Sequence, residues 1–250
     1  MFANADKLLH PLLARLVGWE ARRIMKGFRR SLAAARRTQE TVLLAKIRRN
    51  AESDFGRRHG FALVKNVEDF RRAVPVSTYA DYEPYIERVR RGDLSAMFGP
   101  GQKLHMFAMT SGTAGRPKYI PVTNHFLKEY RRGWMTWGIQ AFLDHPAAFD
   151  ARILQLVSPM DDERAPCGAP CGAVSGLTAQ VQRLGARNLY LLPPEAARIR
   201  DTQSKYYVAV LLALRRRTLV ILSANPSTLL GLARTLNEHK EQLLRDLREG

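Results

Sequence analysis

The stretch Met109-Thr110-Ser111-Gly112-Thr113-Ala114-Gly115-Arg116-Pro117-Lys118-Tyr119-Ile120-Pro121 leaves this chain few folds to choose from. Ahead of it, Lys103 to Ala108 is short, apolar and bounded by Pro100-Gly101, the pattern of a β-strand. Behind it, Lys118 to Val122 reads as a second short strand. Between them stand two glycines, three hydroxyl side chains and two cations. Glycine lets the backbone turn and come close to a ligand. Successive free N–H groups in such a turn make a concave anion site. The hydroxyls add neutral donors, and Lys118 adds a compact positive charge. The simplest ligand for that set is a polyphosphate. The Walker phosphate loop does not fit, because Arg116-Pro117 precede the lysine and no helix opens there. The dinucleotide fingerprint does not fit either, because it needs three spaced glycines before a helix.

The run Thr110 to Lys118 resembles the phosphate-gripping loop of adenylate-forming ligases, and the continuation Lys118-Tyr119-Ile120-Pro121-Val122-Thr123 narrows the resemblance to one branch. That branch is the acyl-acid amido synthetases, first known as auxin-inducible proteins of plants, with bacterial relatives. The resemblance extends upstream through Glu68 to Tyr79, Tyr82 to Ile86 and Arg90 to Asp93. It implies a ligase that uses ATP and Mg²⁺ to join a carboxylic acid to an amine or amino acid through an acyl-adenylate. It further implies an ATP site of Thr110, Ser111, Gly112, Thr113, Ala114, Gly115 and Lys118. The backbone from Ser111 to Gly115 and the hydroxyls of Thr110, Ser111 and Thr113 would hold the β- and γ-phosphates. Lys118 would be the catalytic residue of that set, neutralising charge on the departing pyrophosphate. Two motifs that the family carries further on have no counterpart before Gly250: an aromatic-Ser-Glu segment, and a hinge leading to a mobile C-terminal domain. The expectation is therefore the N-terminal portion of such an enzyme, either a piece of a longer product or a natural short form.

The 250 residues, 46% of them hydrophobic, suffice for a domain with a real core. Two cysteines and no secretory pattern point to the reducing cytoplasm. The longest apolar run, Val208 to Leu214, is too short to span a bilayer. The net charge is +17, and residues 1–50 hold twelve Lys and Arg against three Asp and Glu. Such a balance favours non-specific contact with anions. No zinc-finger spacing, RNA-binding aromatic motif or leucine zipper accompanies it, so no specific nucleic-acid partner is expected.

Residues 5–48 predict two helices. Arg22-Arg23, Arg29-Arg30 and Arg36-Arg37 recur every seven residues, which puts them near one face, with Ile24, Phe28 and Leu32 on the other. A solvated basic face is the plain reading. A contact with an anionic surface or membrane, and an organelle presequence, are the sharper ones. Val67 to Ala73 predicts a short helix, and Ser77 or Thr78 caps another that runs toward Arg91 and stops at Gly92. Thr123 or Asn124 caps a helix whose Phe126, Leu127, Tyr130, Trp134, Trp137 and Phe142 read as core. Ile153 to Val157, Leu189 to Leu192 and Thr218 to Leu222 read as strands, and Ser158 to Gly176 as a long loop. Ser204 to Arg216 predicts a helix with Tyr207, Val210, Leu211 and Leu214 inward, and Asn225-Pro226 start a last one that runs to the end. Cys167 and Cys171 are too few for a zinc site, and Asp161-Asp162-Glu163 reads as a solvated acidic turn.

The fold class expected is α/β: a mainly parallel sheet flanked by helices, with a helical lead-in, the partial N-terminal domain of an adenylate-forming enzyme. Residues 1–100 would be the helical segment and 101–250 the nucleotide-binding region. Two rival functions stay open at this point. One is an inactive remnant that binds nucleotide or acyl acid without turnover. The other is a basic protein that binds nucleic acid or an anionic surface.

Overall fold

The computed structural model describes residues 5–110, 116–145, 152–181, 190–216, 218–223 and 225–249, with side chains from residue 18 onward except at 142, 194 and 219. The chain divides into two compact units. One holds most of the first 145 residues together with Ala165–Ala169; the other holds Ala108–Ser111, Pro146–Arg164 and Pro170–Gly250.

The first unit begins with α1 (Ala5–Ala33) and α2 (Ala35–Arg49), two helices separated by a break at Ala34. Short helices follow, each started by a side chain that satisfies the first free N–H groups. Ser53 caps α3 (Asp54–Arg58) by accepting from the Gly56 N–H, and Asn66 caps α4 (Val67–Ala73) by accepting from Asp69. Thr78 and Asp81 form a reciprocal capping box at the start of α5 (Tyr79–Arg90). Beyond α5, Gly92 takes φ +104, a left-handed conformation that glycine adopts without strain. Ile47, Phe61 and Val64 form the buried centre, with Leu43, Leu44, Phe55 and Phe70 packed around it. The predicted helical lead-in is therefore present.

The first strand, β1 (Leu104–Thr110), runs two residues further than its apolar pattern suggests, so Thr110 ends a strand instead of opening a loop. After β2 (Lys118–Thr123), buried Thr123 caps α6 (Asn124–Asp144) by accepting from the Phe126 N–H. The second unit adds β3 (Arg152–Gln155), β4 (Glu163–Arg164), β5 (Pro170–Gly172) and α7 (Val174–Gln180). Further along come α8 (Thr202–Arg215), β6 (Thr218–Leu222), α9 (Pro226–Glu238) and α10 (Lys240–Glu249). As predicted, Asn225 caps α9 and Pro226 occupies its first turn, but the single helix expected to run to the end is broken at His239 into α9 and α10. Leu154, Ala209, Val210, Leu232 and Leu243 form the core of this unit.

Two sheets are described, of order β2-β1-β5-β4 and β3-β6. The pairing β3-β6 is parallel, and Tyr190 bridges Ile153 in the same sense. The pairing β4-β5 is antiparallel, with Glu163 opposite Cys171. The segment Ser158 to Gly176, expected as one long loop, thus contains a hairpin. Its turn is closed by Ala165 N–H to Ala169 C=O at 2.9 Å and carries Gly168 at φ +84. Leu214 was expected inward but is exposed, because the last turn of α8 runs past the core that holds Ala209 and Val210. Leu189 lies outside the described residues. No helix among the described residues is long and apolar enough to cross a membrane.

Candidate functional site

Among the expected site residues, the structure describes Thr110 and Lys118; Ser111, Gly112, Thr113, Ala114 and Gly115 lie outside the described residues. Thr110 is the exposed last residue of β1, and half-buried Lys118 opens β2. The surroundings of Lys118 are built by α5. The capping box at Thr78 sets the first helical residue, Tyr79, whose hydroxyl accepts the Tyr119 N–H at 2.9 Å and donates toward the Tyr119 C=O at 3.4 Å. The Lys118 ammonium stands 5.5 Å from the centre of the Tyr79 ring. A cation near the face of an aromatic ring is attracted by its quadrupole, and a ring does not neutralise charge as a carboxylate would. Among the described residues, Lys118 thus stands beside an aromatic ring and not a carboxylate.

A second clamp holds the same strand. The Arg90 guanidinium lies 3.9 Å over the Tyr119 ring, while its Nη1 donates to Glu87 Oε1 at 2.6 Å. The Arg90 carbonyl accepts the Cys167 N–H at 3.0 Å. Tyr79 and Arg90 stand forty and twenty-nine positions ahead of Tyr119, so no local spacing could have paired them with it. The signal available was their presence in the upstream block of the resemblance, which did not assign them a role.

The helix that follows β2 carries a continuous aromatic row. Phe126 stacks on Tyr130 with centroids 5.9 Å apart, Tyr130 meets Trp134 at 6.2 Å, and Trp134 meets Trp137 edge-on at 5.5 Å. These rings were expected in the core. Instead Phe126 and Trp134 are exposed and Trp137 keeps 51% of its surface in water, while Leu127 beside them is buried. The helical spacing was read correctly, but a face at helical spacing is apolar whether a core or a ligand covers it.

Elsewhere the chemistry is sparse. Asp161, Asp162 and Glu163 are exposed, and both cysteines are free thiols, Cys167 exposed and Cys171 buried. Among the described residues no group of three His, Cys, Asp or Glu side chains could hold a metal ion. In the second unit, Gln155, Tyr190, Leu192, Ala196 and Lys205 line a small cavity. The Lys205 ammonium donates to the Ala197 C=O at 3.2 Å, and burial holds it below the usual lysine range.

A model of the GH3 family N-terminal domain matches residues 24–250. The protein named "Probable indole-3-acetic acid-amido synthetase GH3.2" of Oryza sativa subsp. japonica is 29% identical over 220 residues, covering 85% of this chain and 36% of that protein. The jasmonoyl–L-amino acid synthetase JAR6 of Nicotiana attenuata is 26% identical over 111 residues, covering 44% of this chain and 19% of its own length. Among solved structures, GH3.15 acyl acid amido synthetase superposes with a TM-score of 0.70 at 20% identity, covering 94% of this chain and 40% of that one. AtGH3.15 acyl acid amido synthetase in complex with 2,4-DB gives 0.72 at 22% identity, covering 84% and 37%. The fold is thus shared with these structures, and the chain spans well under half the length of each relative.

Proposed function

Because the chain belongs to the GH3 family, matching its N-terminal domain over residues 24–250, we propose that it carries the phosphate-gripping portion of an ATP-dependent acyl-acid amido synthetase. The observation that carries this reading is Lys118: a half-buried cation at the head of β2, backed by the Tyr79 ring of α5, on a strand that Tyr79 clamps at Tyr119, just after the Thr110 to Gly115 run. In the reaction, the acid's carboxylate attacks the α-phosphorus of ATP and pyrophosphate leaves. The amine then attacks the acyl carbon, AMP leaves, and the amine gives up a proton. Both reactants of the first step are anions, so the protein's task is to hold them together and to spread the developing charge. The hydroxyls of Thr110, Ser111 and Thr113 and the loop N–H groups donate to the β- and γ-phosphate oxygens, and Lys118 balances the charge of the leaving pyrophosphate. Magnesium, when bound, supplies further charge neutralisation on the phosphates. Phosphate oxygens would be among its ligands.

The acid's apolar body needs a surface of its own. The row Phe126, Tyr130, Trp134 and Trp137 supplies one on the helix that immediately follows β2. It suits acids with a flat or hydrocarbon body, the kind named for the relatives, indole-3-acetic acid and 2,4-DB. Calorimetric titration with Mg-ATP tests the reading. Wild type is expected to bind saturably, and Thr113→Val and Lys118→Ala to lose about ten- to a hundredfold in affinity, the worth of a hydrogen bond to a charged group. Undiminished binding by both folded variants would sink the reading. So would no binding by a well-folded wild type.

A further inference from the structure

A second surface, on α1 and the start of α2, stands apart from the loop. Ala21, Met25, Phe28 and Leu32 follow one another at intervals of four, three and four, a single stripe along an α-helix. The first two are buried. The stripe then loses its cover: Phe28 is 43% exposed and Leu32 59%. Cations crowd this uncovered end. Arg22, Arg23, Lys26, Arg29, Arg30, Arg36 and Arg37 are all exposed. Between residues 18 and 40 the only acids are Glu20 and Glu40, and Glu20 is taken by Arg23 at 2.9 Å. Among the described residues, the side chains of Arg22, Lys26, Arg29, Arg30, Arg36 and Arg37 have no acidic partner. Trp19 is also exposed, with the Arg23 guanidinium 5.8 Å from its ring centre.

We propose that this face docks on an anionic phospholipid surface. Charge alone would suit any polyanion, but charge does not explain Phe28 and Leu32. A polyanion such as RNA leaves those side chains in water. A bilayer interface takes both, since phosphates lie over acyl chains and a helix on the surface sinks its apolar stripe between them. A cluster of four to eight Lys and Arg on an amphipathic helix is the pattern that anionic lipid selects. Arginine predominates here, and its planar fork matches a phosphate diester better than an ammonium does. No described helix can span a membrane, so the mode is adsorption along the surface.

The test is co-sedimentation of the full chain with phosphatidylcholine vesicles and with mixed phosphatidylcholine–phosphatidylserine vesicles. The chain should partition onto the anionic vesicles only, and less so as salt rises. Neutralising exposed cations in Arg22→Gln, Arg29→Gln and Arg36→Gln should weaken partition about fivefold each. The double variant Phe28→Ser/Leu32→Ser should lose partition too, with an unchanged far-ultraviolet spectrum, because both positions are exposed. Absence of partition by folded wild type overturns the proposal. Single-stranded RNA binding that rivals the vesicles and survives Phe28→Ser/Leu32→Ser also overturns it, by making the stripe irrelevant.

Discussion

Asn50 closes α2 and reaches in three directions. Its Nδ2 donates to the Lys46 C=O at 3.0 Å, and its Oδ1 accepts from the Gly99 N–H at 3.2 Å and from Gln102 Nε2 at 2.6 Å. Its carbonyl accepts from the Ser53 N–H and hydroxyl at 3.1 and 2.7 Å. Gly56 packs directly on that carbonyl, where an added Cβ would stand 2.0 Å from the oxygen. Backbone held by so many bonds cannot give way, so Gly56→Ala is expected to destabilise by about 1–3 kcal/mol, the usual cost of overpacking, in urea denaturation. A second prediction concerns Tyr207, whose hydroxyl donates to Asp246 at 2.6 Å. Burial, then the Asp246 bond, pushes its pKa up to about 12. The folded value exceeds that of a free tyrosine, about 10, so this bond stabilises fully below that pH and is lost as pH rises through about 12. An alkaline titration should show one fewer late-ionising phenol in Tyr207→Phe than in wild type, where burial also raises Tyr190, and the variant should lack the loss of stability across that window.

At the scale of elements, α5 matters most, because its start sets Tyr79. Asp81 accepts from the Thr78 N–H at 2.7 Å and the Thr78 hydroxyl at 2.9 Å. The backbone bond first, then the hydroxyl, holds the Asp81 carboxyl below its usual range. A depressed carboxylate stabilises above its unfolded pKa and loses that contribution as pH falls through the folded one, so the cap should weaken only in acid. Thr78→Ala is expected to cost about 1 kcal/mol, read by thermal unfolding near neutral pH. Tyr79→Phe keeps the ring under Lys118 and removes the clamp on Tyr119. Under the proposed function it should weaken Mg-ATP about two- to tenfold, the net worth of such hydrogen bonds. An unchanged affinity would show that β2 holds its start without α5. The element-level errors share one cause. Periodicity told that α6 and the end of α8 have apolar faces, but it carried no information on what lies opposite Trp137 or Leu214.

At the scale of the molecule, two compact units each have a core of their own. Leu243, 1% exposed at the centre of the second, is the position to probe. Leu243→Ala should destabilise by about 2–5 kcal/mol, the range for a buried leucine. Amide exchange should quicken in β3, β6 and α8 to α10 and stay unchanged in α2, α4 and α5. Uniform quickening through both units would mean that they unfold as one.

Much of the fold is legible in the sequence, for local reasons. Caps and breakers act over one helical turn, so Thr78, Gly92, Thr123 and Asn225-Pro226 marked element ends that the structure bears out. The family was readable from Thr110 to Lys118 because its pattern sits in nine consecutive residues. The hairpin in 163–172 escaped because its strands are two and three residues long, too short for alternation to register. Tertiary structure alone decided the rest. It brought Tyr79 to Tyr119 and Arg90 over the same ring, contacts between residues far apart in the chain. It also decided which apolar faces meet a partner and which, like Phe28, Leu32 and Trp137, meet water. Hydrophobicity belongs to a residue and can be read from it, whereas burial belongs to a pair of surfaces and exists only once the chain has folded.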